Sequence, residues 1–401
     1  MHPSSSPAAA RRPRRWAWAC TSSLGRCIHV ADAPVVIAAR RTPIGRRGRA
    51  LAAVRVHELA APVLRAALDD AETATGTTVE IADVLLGNCM GPGGNPARLA
   101  ALAAGLDPAV PGGTVDRQCG SGLAAILDAA AAIRAGDRRA RLAGGAESAS
   151  TAPVRSIDGV PYDRAPFAPA GFPDPDMVRA AEDLAAHEGI ERTRLDAHAA
   201  RSHARAVAAY SAGRFADELV TVAGLDRDDA VGGAERVLPR LPALFPGGAL
   251  TAGTSTRIGD GAAAVVVAPA GTAPGLAVRA GAIVGGDPAL PGLGAAPAIL
   301  RALSATGSDV GAIAAFEVVE AFASQSIAVL DRIGVADDDP RVCADGGALA
   351  LGHPWGASGA VAVVRLFGRL VRGGAPAGTL GVAAASVGGG LGVAAVFEVV
   401  R

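Results

Sequence analysis

Cys119 and His353 are the two residues whose surroundings suggest chemistry. Cys119 stands in Val115-Asp116-Arg117-Gln118-Cys119-Gly120-Ser121-Gly122-Leu123, where a polar turn runs into an Ala-rich apolar stretch, Leu123 to Ile133. That stretch has helical composition, and Gly120-Ser121-Gly122 lets the chain turn tightly into it. A cysteine there faces unpaired backbone N–H groups and the positive end of a helix dipole, both of which stabilise a thiolate. Its pKa is expected below the free value of about 8.5, as in an activated nucleophile. Taken alone, the residue reads as buried packing, since free Cys is among the most buried residue types. The rest of the chain reverses that reading. His353 lies in a second Gly-rich turn, Gly352-His353-Pro354-Trp355-Gly356, also ahead of an Ala/Val-rich stretch. Taken alone, His353 reads as a structural histidine.

The elements that must position this pair belong to a globular chain. Of 401 residues, 50% are hydrophobic and 19% charged, enough core for two or three structural units. No apolar run is long and strong enough to suggest a membrane span. The formal net charge is zero, which gives no argument for nucleic acid or a membrane surface as partner. There is no lysine, so Schiff-base and P-loop lysine chemistry are excluded. The cysteines (Cys20, Cys27, Cys89, Cys119 and Cys343) are too scattered for a disulfide framework and form no CxxC pair. A reducing cytoplasm and no metal site are expected. Residues 1–33 are Arg-rich, with no acid before Asp32, and read as a disordered extension; a targeting segment and an interaction arm are the alternatives.

From Pro34 onward the chain alternates strand and helix patterns. Pro34 to Ala39 and Val84 to Gly87 read as strands, and His57 to Ala71 and Ala97 to Ala104 as helices. Ala140 to Ser148 reads as a strand entering a Gly-rich turn. The C-terminal part repeats the order. Strands are expected over Leu276–Val284, Ala314–Val319 and Gly378–Ala385, with helices beginning at Pro297 and covering Ala357–Val371. In both halves a reactive-looking turn precedes a long helix, and that helix precedes a strand ending in glycines. This is an internal duplication of an α/β unit. It places Cys119 and His353 at matching corners, where two helix N-termini can converge. Segment 151–250 is richer in Pro and charge and reads as an inserted loop domain over the site, with helices Met177–His187 and Thr193–Tyr210. Asp196, His198, Arg201, Ser202, His203 and Arg205 are expected on a solvated face.

These motifs, in this order, resemble the thiolases: acetyl-CoA acetyltransferases and 3-ketoacyl-CoA thiolases. The resemblance covers about 34–401. It rests on Arg41-Thr42-Pro43-Ile44-Gly45, the Cys119 motif, Gly144-Gly145-Ala146-Glu147-Ser148, Thr251-Ala252-Gly253 with Asp260-Gly261-Ala262, Glu320-Ala321-Phe322-Ala323, and Gly346 through Gly359 around His353. It implies a thiolase fold: two duplicated α/β halves with mixed sheets, shared central helices and an inserted loop domain. The expected division is 34–150 with 251–273, then 151–250, then 274–401. It also implies acyl transfer through an acyl-Cys119 intermediate. His353 would take the thiol proton, and the N–H groups of Cys119 and Gly388 would form an oxyanion hole. Coenzyme A is implied as carrier, not as a permanently bound cofactor. Thr256 and Phe322 match pantetheine-channel positions, and Arg227 and Arg236 are candidates for the CoA phosphates. A homodimer or homotetramer is implied.

Two departures stand out. Val319 occupies the position of an Asn whose amide holds a water in a second oxyanion site, and losing such a donor can cost about 10²–10³ in rate. Ser386 replaces the family's second Cys, and a serine hydroxyl is a poor base near pH 7. Cys343, before the Gly346-Gly347 turn, reads as buried packing. Two alternatives stay open: transfer of the acyl group to another acceptor or to water, and a weakly active thiolase-like scaffold subunit.

Overall fold

The computed structural model describes residues 32–162, 164–232 and 237–401. The strands are β1 (Val35–Arg41), β2 (Gly45–Arg46), β3 (Ile81–Gly87), β4 (Gly112–Val115), β5 (Ala140–Ser148), β6 (Arg155–Ile157), β7 (Val160–Tyr162), β8 (Gly259–Ala268), β9 (Gly275–Gly285), β10 (Ile313–Val318), β11 (Leu380–Val387) and β12 (Leu391–Val400). The helices are α1 (Val56–Thr75), α2 (Pro96–Ala103), α3 (Ser121–Arg134), α4 (Met177–Glu188), α5 (Arg192–Ser211), α6 (Ala295–Thr306), α7 (Ala323–Ile333), α8 (Ala348–Leu351) and α9 (Trp355–Phe367).

Ten strands form one mixed sheet in the order β10-β11-β12-β9-β1-β8-β5-β3-β4, with β2 paired to β8. The duplication is plain in this order. In the first half β1 pairs antiparallel with β8, β8 antiparallel with β5, and β5 parallel with β3. In the second half β9 pairs antiparallel with β12, β12 antiparallel with β11, and β11 parallel with β10. The halves join where Val35 and Val36 of β1 face Ala277 and Leu276 of β9. The thiolase-type architecture expected from the sequence is therefore present.

The central strands β5 and β8 are buried on both faces, which is why β8 reads as a nearly continuous apolar run. Val36 and Ala39 of β1 face a core shared with Leu123 and Ile126 of α3 and Ala360 and Val363 of α9. Val35 and Ile37 face the opposite way, toward Leu59, Val63 and Leu64 of α1. A third core lies between the second half's strands and α6 and α7, around Ile299, Phe316 and Leu330. Each fully buried Val, Leu or Ile contributes about 1.5–3 kcal/mol. Helices α3 and α9 thus form the shared central layer.

Glycine lets those two helices meet. A β-carbon on Gly145 would lie 2.1 Å from the Gly356 carbonyl, and one on Gly122 would lie 2.9 Å from the same oxygen. Any side chain there would push apart the two N-termini that flank the site.

Element boundaries differ from expectation in understandable ways. Helix α6 starts at Ala295, ahead of Pro297, because a proline in the first turn forfeits only an N–H with no intrahelical partner. Helix α9 ends at Phe367 and passes into a π-helical turn, Gly368–Arg372. Strand β11 runs Leu380–Val387, later than expected, so that it ends at the site. The extension expected over 1–33 is too long at its end: Ala33 is fully buried. Its first 31 residues lie outside the described ones.

The expected solvated face of α5 is also corrected. His198, Ser202 and His203 are buried. Ser202 Oγ donates to Glu320 Oε2 at 2.7 Å and accepts the Gly347 N–H at 3.1 Å. His198 Nε2 lies 3.5 Å from Glu320 Oε1. A helix rich in polar residues was read as exposed, but here its polar side bonds the Glu320 and Gly347 turns. A second buried tie runs from Arg41, fully buried, to Glu218 (2.7 Å) and to both oxygens of Asp228 (2.7 and 3.0 Å). It fastens the segment after α5 to β1.

Candidate active site

Cys119 occupies a short 3₁₀ turn, Gln118–Gly120, directly before α3. Gln118 has a φ of 42°, a left-handed conformation uncommon for a non-glycine residue. Local bonds hold it there. The Gln118 N–H donates to Asp116 Oδ1 at 2.9 Å, and Ser121 Oγ accepts from Arg117 N (2.8 Å) while donating to the Gln118 carbonyl (2.6 Å). Gly120 then presses onto the sheet: a β-carbon there would meet Val393 Cγ2 at 2.7 Å and Val387 Cγ2 at 2.9 Å. This contact sets the nucleophile turn against the end of β11, whose next residue is Gly388.

His353 comes from the loop between α8 and α9. Its backbone N–H donates to the Arg257 carbonyl at 2.9 Å, and its carbonyl accepts from Gly259 N at 3.3 Å. The ring bridges two side chains. Nε2 lies 3.2 Å from Cys119 Sγ, and Nδ1 lies 2.6 Å from Ser358 Oγ on the first turn of α9. A thiol proton shared with Nε2 requires Nδ1–H to donate to Ser358. Ser358 had no role in the sequence reading. The available signal was a hydroxyl five residues after the histidine, at a helix start.

Glu147, quoted from the sequence only as part of its motif, is fully buried beneath this turn. Its carboxylate accepts from Asn88 Nδ2 (2.8 Å), Cys89 N (3.0 Å), Met90 N (3.1 Å) and Gly356 N (3.0 Å). It therefore caps α9 and fixes the loop 88–90. Burial raises its pKa, against those N–H donors.

The expected low thiol pKa is not found. Burial is the main cause that pushes Cys119 up to about 12, with Glu147 and Asp116 adding to it, and its own backbone N–H opposing. Burial likewise lowers His353 to about 4. The helix N-terminus is present, but desolvation and the nearby carboxylates of Glu147 and Asp116 outweigh it. The resting pair is thiol and neutral imidazole, so charge appears only when the proton moves to Nε2 during attack.

The remaining sequence candidates separate into two groups. Val319 is nearly buried at the end of β10, beside a cavity of about 30 Å³ that also touches Gly352 and Ser358. That is room for about one water molecule. Ser386, on β11, is committed elsewhere: its Oγ donates to the Gly292 carbonyl (2.6 Å) and accepts from Ala295 N (3.0 Å). It anchors the start of α6, a role its hydroxyl suits and a base would not. Thr256 Oγ1 donates to the Ala348 carbonyl (2.6 Å), and Thr256 N donates to the Ala321 carbonyl (3.1 Å). Thr256 and Phe322 therefore lie on adjacent segments, bridged between Ser255 and Phe322. Arg227 stacks on Tyr210, with Cζ 4.8 Å from the ring centroid. Arg236 lies outside the described residues. Cys343 is buried and donates to the Val318 carbonyl, as packing requires.

A cavity of about 360 Å³ lined by Arg214, Arg365, Arg369 and Arg372 touches neither Cys119 nor His353. Arg214 and Arg365 bond Asp345, and Arg365 also bonds Glu218, so this is the outer end of the Arg41 network. Among the described residues no cluster of His, Cys, Asp or Glu could hold a metal, and no helix is long and apolar enough to cross a membrane.

Residues 34–271 match the thiolase N-terminal domain, and residues 273–399 match the thiolase C-terminal domain. A putative acetyl-CoA C-acetyltransferase, YhfS, of Bacillus subtilis is 38% identical over 376 residues, covering 91% of this chain and 99% of that protein. A 3-ketoacyl-CoA thiolase of Erwinia tasmaniensis is 39% identical over 390 residues, with 91% and 98% covered. The crystal structure of the Bacillus anthracis acetyl-CoA acetyltransferase superimposes with a TM-score of 0.83 at 32% identity, over 92% of this chain and 99% of that one.

Proposed function

The chain belongs to the thiolase family, and on that premise we propose that it is an acyl-CoA C-acyltransferase working through an acyl group on Cys119. The observation that carries this reading is the 3.2 Å separation of Cys119 Sγ and His353 Nε2 at the junction of two helix N-termini. Cys119 Sγ attacks the 3-keto carbon of a 3-ketoacyl-CoA, or the thioester carbon of acetyl-CoA, as its proton passes to Nε2. The oxygen that becomes negative is held by the N–H groups of Cys119 and Gly388. In thiolysis the bond between the α-carbon and the attacked carbonyl breaks. The imidazolium protonates the departing α-carbon, giving acetyl-CoA. A CoA thiol then attacks the acyl-cysteine, its proton goes to Nε2, and Cys119 leaves as a thiolate that takes the proton back. Condensation of two acetyl-CoA molecules is the reverse sequence. His353 serves both halves in this scheme, because the Ser386 hydroxyl is already bonded to Gly292 and Ala295. Thr256 and Phe322 line the pantetheine path.

The commitment of Ser386 also supports a second reading, in which the acyl group passes to an acceptor other than CoA, or to water. An assay of acetoacetyl-CoA cleavage with and without free CoA separates the two. CoA-dependent formation of two acetyl-CoA per turnover supports the first. Consumption of acyl-CoA at the same rate without added acceptor supports the second. The exposed Val154, Ile157, Val160 and Phe172 form apolar surface that supports a homo-oligomer, which sedimentation would test.

A further inference from the structure

Gly388, the proposed oxyanion donor, is covered by one side chain. A β-carbon built on Gly388 would lie 2.6 Å from Phe167 Cε2 and 2.7 Å from Phe167 Cδ2. One built on Gly389 would lie 3.1 Å from the Phe167 carbonyl oxygen and 3.3 Å from its Cβ. The ring and main chain of Phe167 therefore press against the Gly388–Gly389 turn, and only glycine permits that approach.

The ring is held by its own small clamp. The Phe167 N–H is shared between the two oxygens of Asp174, each at 3.3 Å. Asp174 Oδ1 also accepts from Arg164 Nη1 at 2.7 Å. The Arg164 guanidinium carbon stands 4.8 Å from the Phe167 ring centroid. Between β7 and α4 the chain has no strand or helix among its described residues, and Phe172 is exposed. Three residues of this otherwise loosely built segment thus cooperate to press one aromatic ring onto the oxyanion turn.

We propose that Phe167 is a specificity-determining residue that limits the acyl group on Cys119 to short chains. This inference rests on the acyl-Cys119 reading above. An acyl oxygen held between the N–H groups of Cys119 and Gly388 places the carbonyl carbon within a few ångström of the turn that Phe167 covers. The first carbons of the acyl chain then run beside the ring. A small apolar acyl group gains contact with the ring face, while a longer chain meets the ring and the clamp behind it. The substrate class is acyl-CoA with a short acyl group, of acetyl or acetoacetyl size.

The test compares kcat/KM for acetoacetyl-CoA and 3-ketooctanoyl-CoA in the wild type, Phe167→Ala and Asp174→Asn, with acyl-adduct formation on Cys119 measured in each. The wild type should favour acetoacetyl-CoA. Phe167→Ala should shift the ratio toward the longer substrate by about tenfold or more, the scale on which apolar pockets discriminate size. Asp174→Asn, which loosens the clamp without removing the ring, should shift it the same way by less. A ratio unchanged in both variants, with adduct still forming on Cys119, overturns the role of Phe167 alone. So does a wild type that prefers 3-ketooctanoyl-CoA. If the wild type forms no adduct on Cys119, the acyl-cysteine reading fails instead, and this inference with it.

Discussion

Ser358 Oγ lies 2.6 Å from His353 Nδ1, on the helix whose N-terminus converges with that of the nucleophile. One hydroxyl therefore fixes the tilt of the imidazole, and where it accepts from Nδ1–H it supports the tautomer that leaves Nε2 free to accept. Ser358→Ala should lower kcat about five- to tenfold, the worth of one neutral hydrogen bond of about 1 kcal/mol or slightly more, and leave KM nearly unchanged. Ser358→Thr should restore most of the loss. Steady-state kinetics on the three proteins checks this. An equal loss in the Thr variant would assign Ser358 to packing alone.

The pH behaviour follows from burial. With Cys119 raised to about 12, alkylation by iodoacetamide should keep rising past pH 9 and show no plateau near pH 6. A plateau at pH 6 would mean a preformed thiolate. His353, lowered to about 4, stays neutral when folded but binds a proton when unfolded below about pH 6.5. Its contribution to stability is complete above that value and is lost as pH falls toward 4. Melting temperature should fall less between pH 7 and pH 4.5 in His353→Gln than in the wild type.

Ser386 bonded to Gly292 and Ala295 leaves no second base at the site. Acylation should therefore outrun CoA-dependent turnover, giving a burst of acyl-enzyme. Ser386→Cys, with weaker bonds to those partners and a more acidic proton, should raise turnover about tenfold. Adding Val319→Asn should raise it further, by placing an amide at the cavity beside Ser358. Rapid-quench measurements that show no burst, and no gain in Ser386→Cys, would mean that His353 alone deacylates the enzyme as fast as it is acylated and that the missing second base costs no rate.

Arg41 has stability as its main effect. Arg41→Ala leaves Glu218 without one of its buried partners and Asp228 without its only guanidinium partner among the described residues. Loss of one partner from a buried pair costs about 3–5 kcal/mol. Urea melts should show that loss, whereas a change under 1 kcal/mol would mean that the network relaxes around the gap.

Much of this was legible in the residue order. The duplication could be read because each half repeats turn, helix and glycine-ended strand, and the sheet order bears this out. Cys119 and His353 could be paired because both stood in motifs at matching corners. What escaped was anything set by side chains meeting across the fold. The sequence showed a cysteine at a helix start but not the burial that reverses its pKa. It listed Ser358 and Glu147 as motif letters without revealing that one holds the imidazole and the other caps α9. It offered Arg227 as a candidate for the CoA phosphates without revealing that Tyr210, far along the preceding helix, stacks against it. It placed His198, Ser202 and His203 in solvent because polar residues on a helix usually face water; here all three are buried, and His198 and Ser202 meet Glu320.

The central claim is that Cys119 carries the acyl group. Intact-mass and peptide mapping after brief exposure to acetyl-CoA tests it most directly, on the wild type, Cys119→Ala and His353→Ala. The account predicts one acetyl group per chain, located on the Cys119 peptide, absent in Cys119→Ala and formed much more slowly in His353→Ala. Acetylation of equal extent in Cys119→Ala, or located on Cys89 or Cys343 in the wild type, would contradict it.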